Sequence, residues 1–180
     1  MSTLAPELAS PSAGASGSNP REEKDLPSVS PSPPEASQRQ EDRHILIVED
    51  NNADVFLMRE ALHTVNLTGH LDVVSDGEKA LRFIDAADAD TSASGPVFFI
   101  LDLNLPKRHG LEVLEHLRKS RKCAGALVLI VTSSDSATER KEATRLGANG
   151  YFRKPSDYAS YLKLGEVVRT MLDANPPAPE

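Results

Sequence analysis

The chain has 180 residues, a formal net charge of −7, thirteen prolines and one cysteine. No apolar run approaches the ~20 residues that span a bilayer, and the acidic balance leaves no electrostatic footprint for nucleic acid. Lone Cys123 excludes an internal disulfide framework and fits a reducing, cytoplasmic setting.

Residues 1–42 hold seven of the thirteen prolines, nine serines and no aromatic residue. Such a segment buries too little apolar surface to offset its ordering entropy, so a disordered Pro/Ser-rich tail is expected there. It lacks the basic start and continuous apolar core of a signal peptide, and its seven acids against three bases argue against a transit peptide. Residues 43–173 are the size of one ordinary domain. Residues 174–180, with three prolines, are expected to form a frayed end.

Within the domain, His44–Val48 is continuously apolar after its first residue and reads as a buried parallel strand. Val55, Met58, Leu62 and Val65 then step by three, four and three, striping one face of a helix. His70–Val74 alternates, as an edge strand does. Ser75-Asp76-Gly77-Glu78 matches a capping box ahead of a second helix carried by Ala80, Leu81 and Ile84. Val97–Leu101 is a third strand, and Leu111, Leu114 and Leu117 mark a third helix.

Ala126–Val131 is the fourth strand, followed by a second capping-box match at Ser136 and Glu139. Gly147 stands where a helix C-cap glycine belongs. Gly150–Phe152 is the fifth strand, and Tyr161, Leu164, Val168 and Met171 stripe the last helix. The pattern is (βα)5, an α/β chain whose short connections favour a doubly wound parallel sheet with helices on both faces.

Four of the five strands end in chemically distinctive residues: Glu49 and Asp50, Asp102, Thr132, and Lys154 followed by Pro155. In a parallel sheet these converge on the carboxyl edge, where open α/β sheets bind ligands. A carboxylate at a strand tip is placed to act as a nucleophile. Three clustered carboxylates repel one another, so the site either raises pKa values or holds a cation, and oxygen ligation suits Mg²⁺. Lys154 and Thr132 offer a positive charge and a hydroxyl to phosphoryl oxygens. The set suits phosphoryl transfer onto an aspartate.

These residues, at these spacings, resemble the receiver domain of two-component response regulators over about residues 43–173. An acid pair after the first strand matches Glu49 and Asp50, and the phospho-acceptor matches Asp102 in Asp102-Leu103-Asn104-Leu105-Pro106. The family's Thr or Ser matches Thr132, and its Lys-Pro matches Lys154-Pro155, at the family's intervals of thirty and fifty-two residues from Asp102. The resemblance implies a flavodoxin-like five-stranded sheet of order 2-1-3-4-5. It implies that Asp102 takes a phosphoryl group from a histidine kinase or a histidine phosphotransfer protein. It also implies Mg²⁺ ligation by Asp50, Asp102 and the backbone carbonyl of Asn104, with Glu49 assisting. Thr132 and Tyr151 would then act as the switch. The Asp-Leu-Asn-Leu-Pro-Lys stretch and Ser75-Asp76-Gly77-Glu78 look most like stand-alone regulators that partner bacterial phytochromes.

The resemblance implies a bacterial signalling phosphoprotein that promotes its own phosphorylation and dephosphorylation, and not an enzyme with a separate substrate. With no foldable pattern before residue 43 or after the last helix, no DNA-binding helix-turn-helix is expected, and output is expected to run through protein contacts in a phosphorelay. A homodimer through the fourth helix, fifth strand and fifth helix is one such contact, although Tyr158, Tyr161 and Leu162 equally suit covering the sheet. A degenerate receiver acting as a phosphorylation-independent binding module is the alternative, but it predicts a lost site residue and all five positions are filled. A haloacid-dehalogenase-like phosphatase needs a second acid where Asn104 stands. The pairs His63/His70 and His109/His116 are seven apart, which is not helical zinc-pair spacing, so the histidines read as surface residues. Cys123 has no assigned role.

Overall fold

Side chains along a strand point alternately to its two faces, so a run apolar at every position must be covered on both sides. Phe98-Phe99-Ile100-Leu101 is such a run, and all four residues are fully buried. The computed structural model describes residue 14, an exposed coil position, and residues 43–67, 69–92 and 95–175. The remainder of the expected tail and residues 176–180 lie outside the described residues.

Among the described residues, five strands alternate with five helices: β1 His44–Val48, α1 Asn52–Thr64, β2 His70–Val74, α2 Gly77–Ala89, β3 Phe98–Leu101, α3 Gly110–Lys119, β4 Leu127–Thr132, α4 Ala137–Arg145, β5 Gly150–Arg153 and α5 Tyr158–Ala174. All pairings are parallel, as the strand pattern predicts, and the order is β2-β1-β3-β4-β5, as the resemblance implies. β2 is an edge strand, in keeping with its alternation.

Strand alternation splits the interior into two layers. Leu46, Val48, Phe99, Leu101, Val128 and Ile130 face α2, α3 and α4. Ile45, Ile47, Phe98, Ile100, Leu129 and Val131 face α1 and α5. Each fully buried large side chain contributes about 1.5–3 kcal/mol relative to exposure. The helices differ in how much they add. α3 buries Val113, Leu114 and Leu117, whereas the buried residue of α4 is Ala143.

The helix stripes hold with two changes. Val65 is the C-cap of α1 and lies just beyond the helix. In α5, Leu172, four residues after Val168, is buried where Met171 is only half-buried. α1 and α5 approach so closely that a Cβ on Gly165 would lie 2.0 Å from the Ala61 carbonyl oxygen.

Capping departs further from expectation. The N-cap of α2 is Asp76, whose Oδ1 accepts from the Lys79 N–H at 2.8 Å, while Ser75 Oγ accepts from Lys79 Nζ. Asp76 is fixed there because α2 begins against the β3–α3 loop: a Cβ on Gly77 would lie 2.3 Å from the Arg108 carbonyl oxygen. Ser136 does cap α4, but Glu139 turns to the Ser134 hydroxyl instead of returning to the cap. A complete box closes α3, where His109 Nδ1 accepts from the Leu111 N–H and Glu112 accepts from the His109 N–H. Gly147 follows the C-cap of α4 with φ +93°, as expected.

Arg118, at the end of α3, was not singled out by its sequence. Its guanidinium donates to the carbonyls of Ala124, Ala126 and Gly147 and to Asn149 Oδ1, at 2.6–3.2 Å. It thereby fixes the loops that lead into β4 and β5. Burial without a neighbouring acid pulls its pKa down. Cys123 is buried and its thiol is pushed up by burial, which leaves it inert. No described helix is long and apolar enough to cross a membrane.

Candidate functional site

The strand order reverses between β1 and β3, which opens a crevice at their carboxyl ends. Backbone ladders carry the key residues into it. Glu49 N–H donates to the Val74 carbonyl and Asp102 N–H to the Val48 carbonyl, each at 3.0 Å, so both acids continue the sheet beyond the strand ends. Lys154 N–H reaches the Thr132 carbonyl at 2.9 Å and extends β5 beside β4 in the same way.

The side chains meet around the ammonium of Lys154, which is 10% exposed. Nζ donates to Glu49 Oε2 at 2.6 Å, Asp102 Oδ2 at 2.8 Å and Asp54 Oδ2 at 3.0 Å. Burial alone would push this ammonium down, but the bonds to Asp102, Glu49 and Asp54 overcome it and hold the pKa well above the usual lysine range. Lys154 is therefore a fixed positive charge. Glu49 is fully buried, and burial raises its pKa even though Lys154 and the Asn51 N–H both favour its charged form. Asp50 stands exposed at the rim.

Asp102 is almost fully buried, and its Oδ1 accepts from the Asn104 N–H at 3.1 Å. A Cβ on Gly110 would lie 2.2 Å from the Asp102 carbonyl oxygen, so only glycine lets α3 start this close to the acid. Thr132 is fully buried, and its Oγ1 accepts from Asn104 Nδ2 and from the Ser134 N–H, each at 3.3 Å. Tyr151 is half-buried on β5 and donates to the Ser134 carbonyl at 3.1 Å. The Arg140 guanidinium sits over its ring, 5.0 Å from the centroid. Both aromatic and cation border a cleft of about 360 Å³ with Ser134, Asp135 and Arg153.

All seven sequence-selected positions thus lie along this edge. Glu49, Asp102 and Lys154 touch directly, Asn104 links to Thr132, and Tyr151 connects to them through Ser134. One acid was missed. Asp54 sits in the first turn of α1, one turn beyond Asp50, where an acid ordinarily complements the helix dipole. It is also the first charge, after burial, that pushes the Tyr161 hydroxyl up. The resemblance implied a ligand role for the Asn104 carbonyl, and its side chain also enters the site through the bond to Thr132.

Carboxylate oxygens of Glu49, Asp50 and Asp102 all lie within 4.8 Å of one another. An all-oxygen donor set with one exposed member suits a hard divalent cation that retains water.

A cluster of acids, a threonine and a lysine at the carboxyl edge of a 2-1-3-4-5 sheet is the make-up of a receiver. The model of the response regulator receiver domain matches residues 45–164, and the chain belongs to that family. It is a response regulator of two-component signalling. Response regulator Rcp1 of Synechocystis sp. is 30% identical, covering 70% of this chain and 86% of that protein. The probable methanogenesis regulatory protein FilR2 of Methanothrix harundinacea is 31% identical, covering 69% and 80%. Among solved structures, the phosphorylated cyanobacterial phytochrome response regulator RcpA aligns with a TM-score of 0.68 at 27% identity, covering 76% of this chain and 99% of that one. The Mn²⁺-bound form of Rcp1 gives 0.66 at 27% identity, covering 77% and 99%.

Proposed function

We propose that Asp102 accepts a phosphoryl group from the phosphohistidine of a partner kinase or phosphotransfer protein. An Asp102 carboxylate oxygen attacks phosphorus, the P–N bond breaks, and the leaving imidazole regains its proton from solvent. An acyl phosphate on Asp102 results. The observation that carries this reading is Lys154 Nζ held 2.8 Å from Asp102 Oδ2, beside two further carboxylates within ligand distance of one another.

Asp50, Asp102 and the Asn104 carbonyl would hold Mg²⁺, with Glu49 supporting them directly or through water. When bound, the cation neutralises charge on the acids and on the transferred group. The donor chemistry fits, and Rcp1, a relative, has been solved with Mn²⁺. Lys154 stays protonated throughout and follows an oxygen of the phosphoryl group. Thr132 gives up its contact with Asn104 and turns its hydroxyl toward the new charge. Tyr151 then leaves Ser134 and moves inward, and the cleft beside Arg140 reshapes. One new charged group biases a bistable surface in this way.

The partner kinase is of the phytochrome type on this reading, supported by the names of the relatives. Contacts made by α4, β5 and α5, including a homodimer, carry the output. On α5 the candidate residues divide. Tyr161 is in the core, Leu162 is partly covered, and Tyr158 is 54% exposed and available to a partner.

The test is labelling by acetyl phosphate or a phosphohistidine donor with Mg²⁺. Asp102→Asn is expected to abolish it, as is chelation of the metal. Undiminished labelling of Asp102→Asn would sink the assignment.

A further inference from the structure

His44, His70 and Asp72 meet at the opposite end of the sheet from Asp102. His44 opens β1 and pairs in register with His70, which opens β2. Asp72 follows two residues along the same strand, so all three side chains stand on one face. Asp72 Oδ2 lies 2.9 Å from His44 Nε2 and 3.2 Å from His70 Nε2. One ligand atom from each residue lies within 4.8 Å of the other two. Phe83 of α2 packs edge-on against the His44 ring, with centroids 5.8 Å apart, and holds its orientation.

His44 and His70 lie twenty-six residues apart and are joined by strand register, which helical histidine spacing does not reveal. Zinc bonds of about 2.0–2.2 Å set tetrahedral ligand atoms roughly 3.3 Å apart, close to the 2.9 and 3.2 Å separations here. Two imidazoles and a carboxylate select a borderline-soft metal, whereas the oxygen set at Asp102 selects a hard one. Side-chain exposures of 20%, 69% and 38% for His44, His70 and Asp72 leave a side open to water.

We propose that His44, His70 and Asp72 form a binding site for a divalent transition metal of the zinc class, with water at the fourth position. It is independent of the phosphoryl site and clamps edge strand β2 to β1. At this end the His70 N–H also donates to the Arg43 carbonyl, at 2.9 Å.

The test is calorimetric titration of the full chain with Zn²⁺ in excess Mg²⁺. One Zn²⁺ per chain is expected, and Co²⁺ in its place should give the visible absorption of a four-coordinate site. Loss of mere outer-shell partners costs about 10–100-fold in affinity, so His70→Ala and Asp72→Asn are expected to weaken Zn²⁺ by about 100-fold or more. His70 is the most exposed of the three, so its replacement spares the fold, and His70→Cys is expected to restore binding. Asp50→Asn should leave Zn²⁺ affinity unchanged. Equal affinity in the wild type and His70→Ala, or loss in Asp50→Asn alone, would overturn the site and leave a simple hydrogen-bonded ion pair.

Discussion

Lys154 Nζ is shared between Asp102 and Asp54, at 2.8 Å and 3.0 Å. The lysine that reaches the proposed acceptor is thus also held by an acid of α1, and with Glu49 the three carboxylates occupy all three of its hydrogens.

Asp54→Asn removes a negative charge from a site proposed to admit an anionic donor. It also leaves more of the Lys154 ammonium for a phosphoryl oxygen. Labelling by acetyl phosphate is expected to run several-fold faster at low salt, with the difference shrinking as ionic strength rises. A time course showing slower labelling would contradict this restraining role for Asp54.

Lys154→Met leaves Glu49 and Asp102 buried without their cation. Breaking a buried pair costs roughly 3–5 kcal/mol. The lower end is expected, because Glu49 already has a raised pKa and can take up a proton. Urea denaturation at neutral pH measures this, and adding Glu49→Gln should recover part of the loss.

Gly110→Ala sets two effects against each other. Alanine in a helix gains at most about 1 kcal/mol over glycine. Forcing a methyl group toward the Asp102 carbonyl costs about 1–3 kcal/mol, and the contact here is with backbone, which yields least. Net destabilisation is expected in denaturant melts, along with slower labelling, because the displaced atom belongs to Asp102. A more stable variant would show that the approach of α3 can relax freely.

Asp76 gives the pH prediction. The Lys107 ammonium, 2.9 Å away, and then the Lys79 N–H hold its carboxyl below the usual aspartate range. The depressed folded value means that its contribution is present above the unfolded pKa of about 4 and is lost as pH falls through the folded value. Asp76→Asn should therefore flatten the acid limb of stability while lowering stability at neutral pH. Parallel acid limbs in urea titrations of the two proteins would refute the pairing.

The strands were legible because burial on both faces leaves no polar position in runs such as Phe98–Leu101. The strand-end residues were legible because parallel strands deliver their ends to one edge. What escaped depended on tertiary approach. Both Ser75 and Asp76 are good caps, and the packing of Gly77 on Arg108 chose between them. His109 is no ordinary cap, so the box at α3 carried no signal. Asp54 looked like any first-turn acid until Lys154 arrived from far along the chain. His44 and His70 come together only through the register of β1 with β2.

Helix α4, which buries little beyond Ala143, borders both Ser136 and the Tyr151 cleft. Its outward residues, among them Lys141 and Thr144, are exposed and therefore contribute little to folding. Sequence drift on that surface is close to free of penalty. Recognition can diverge there while the proposed phosphoryl chemistry at the sheet edge stays as it is.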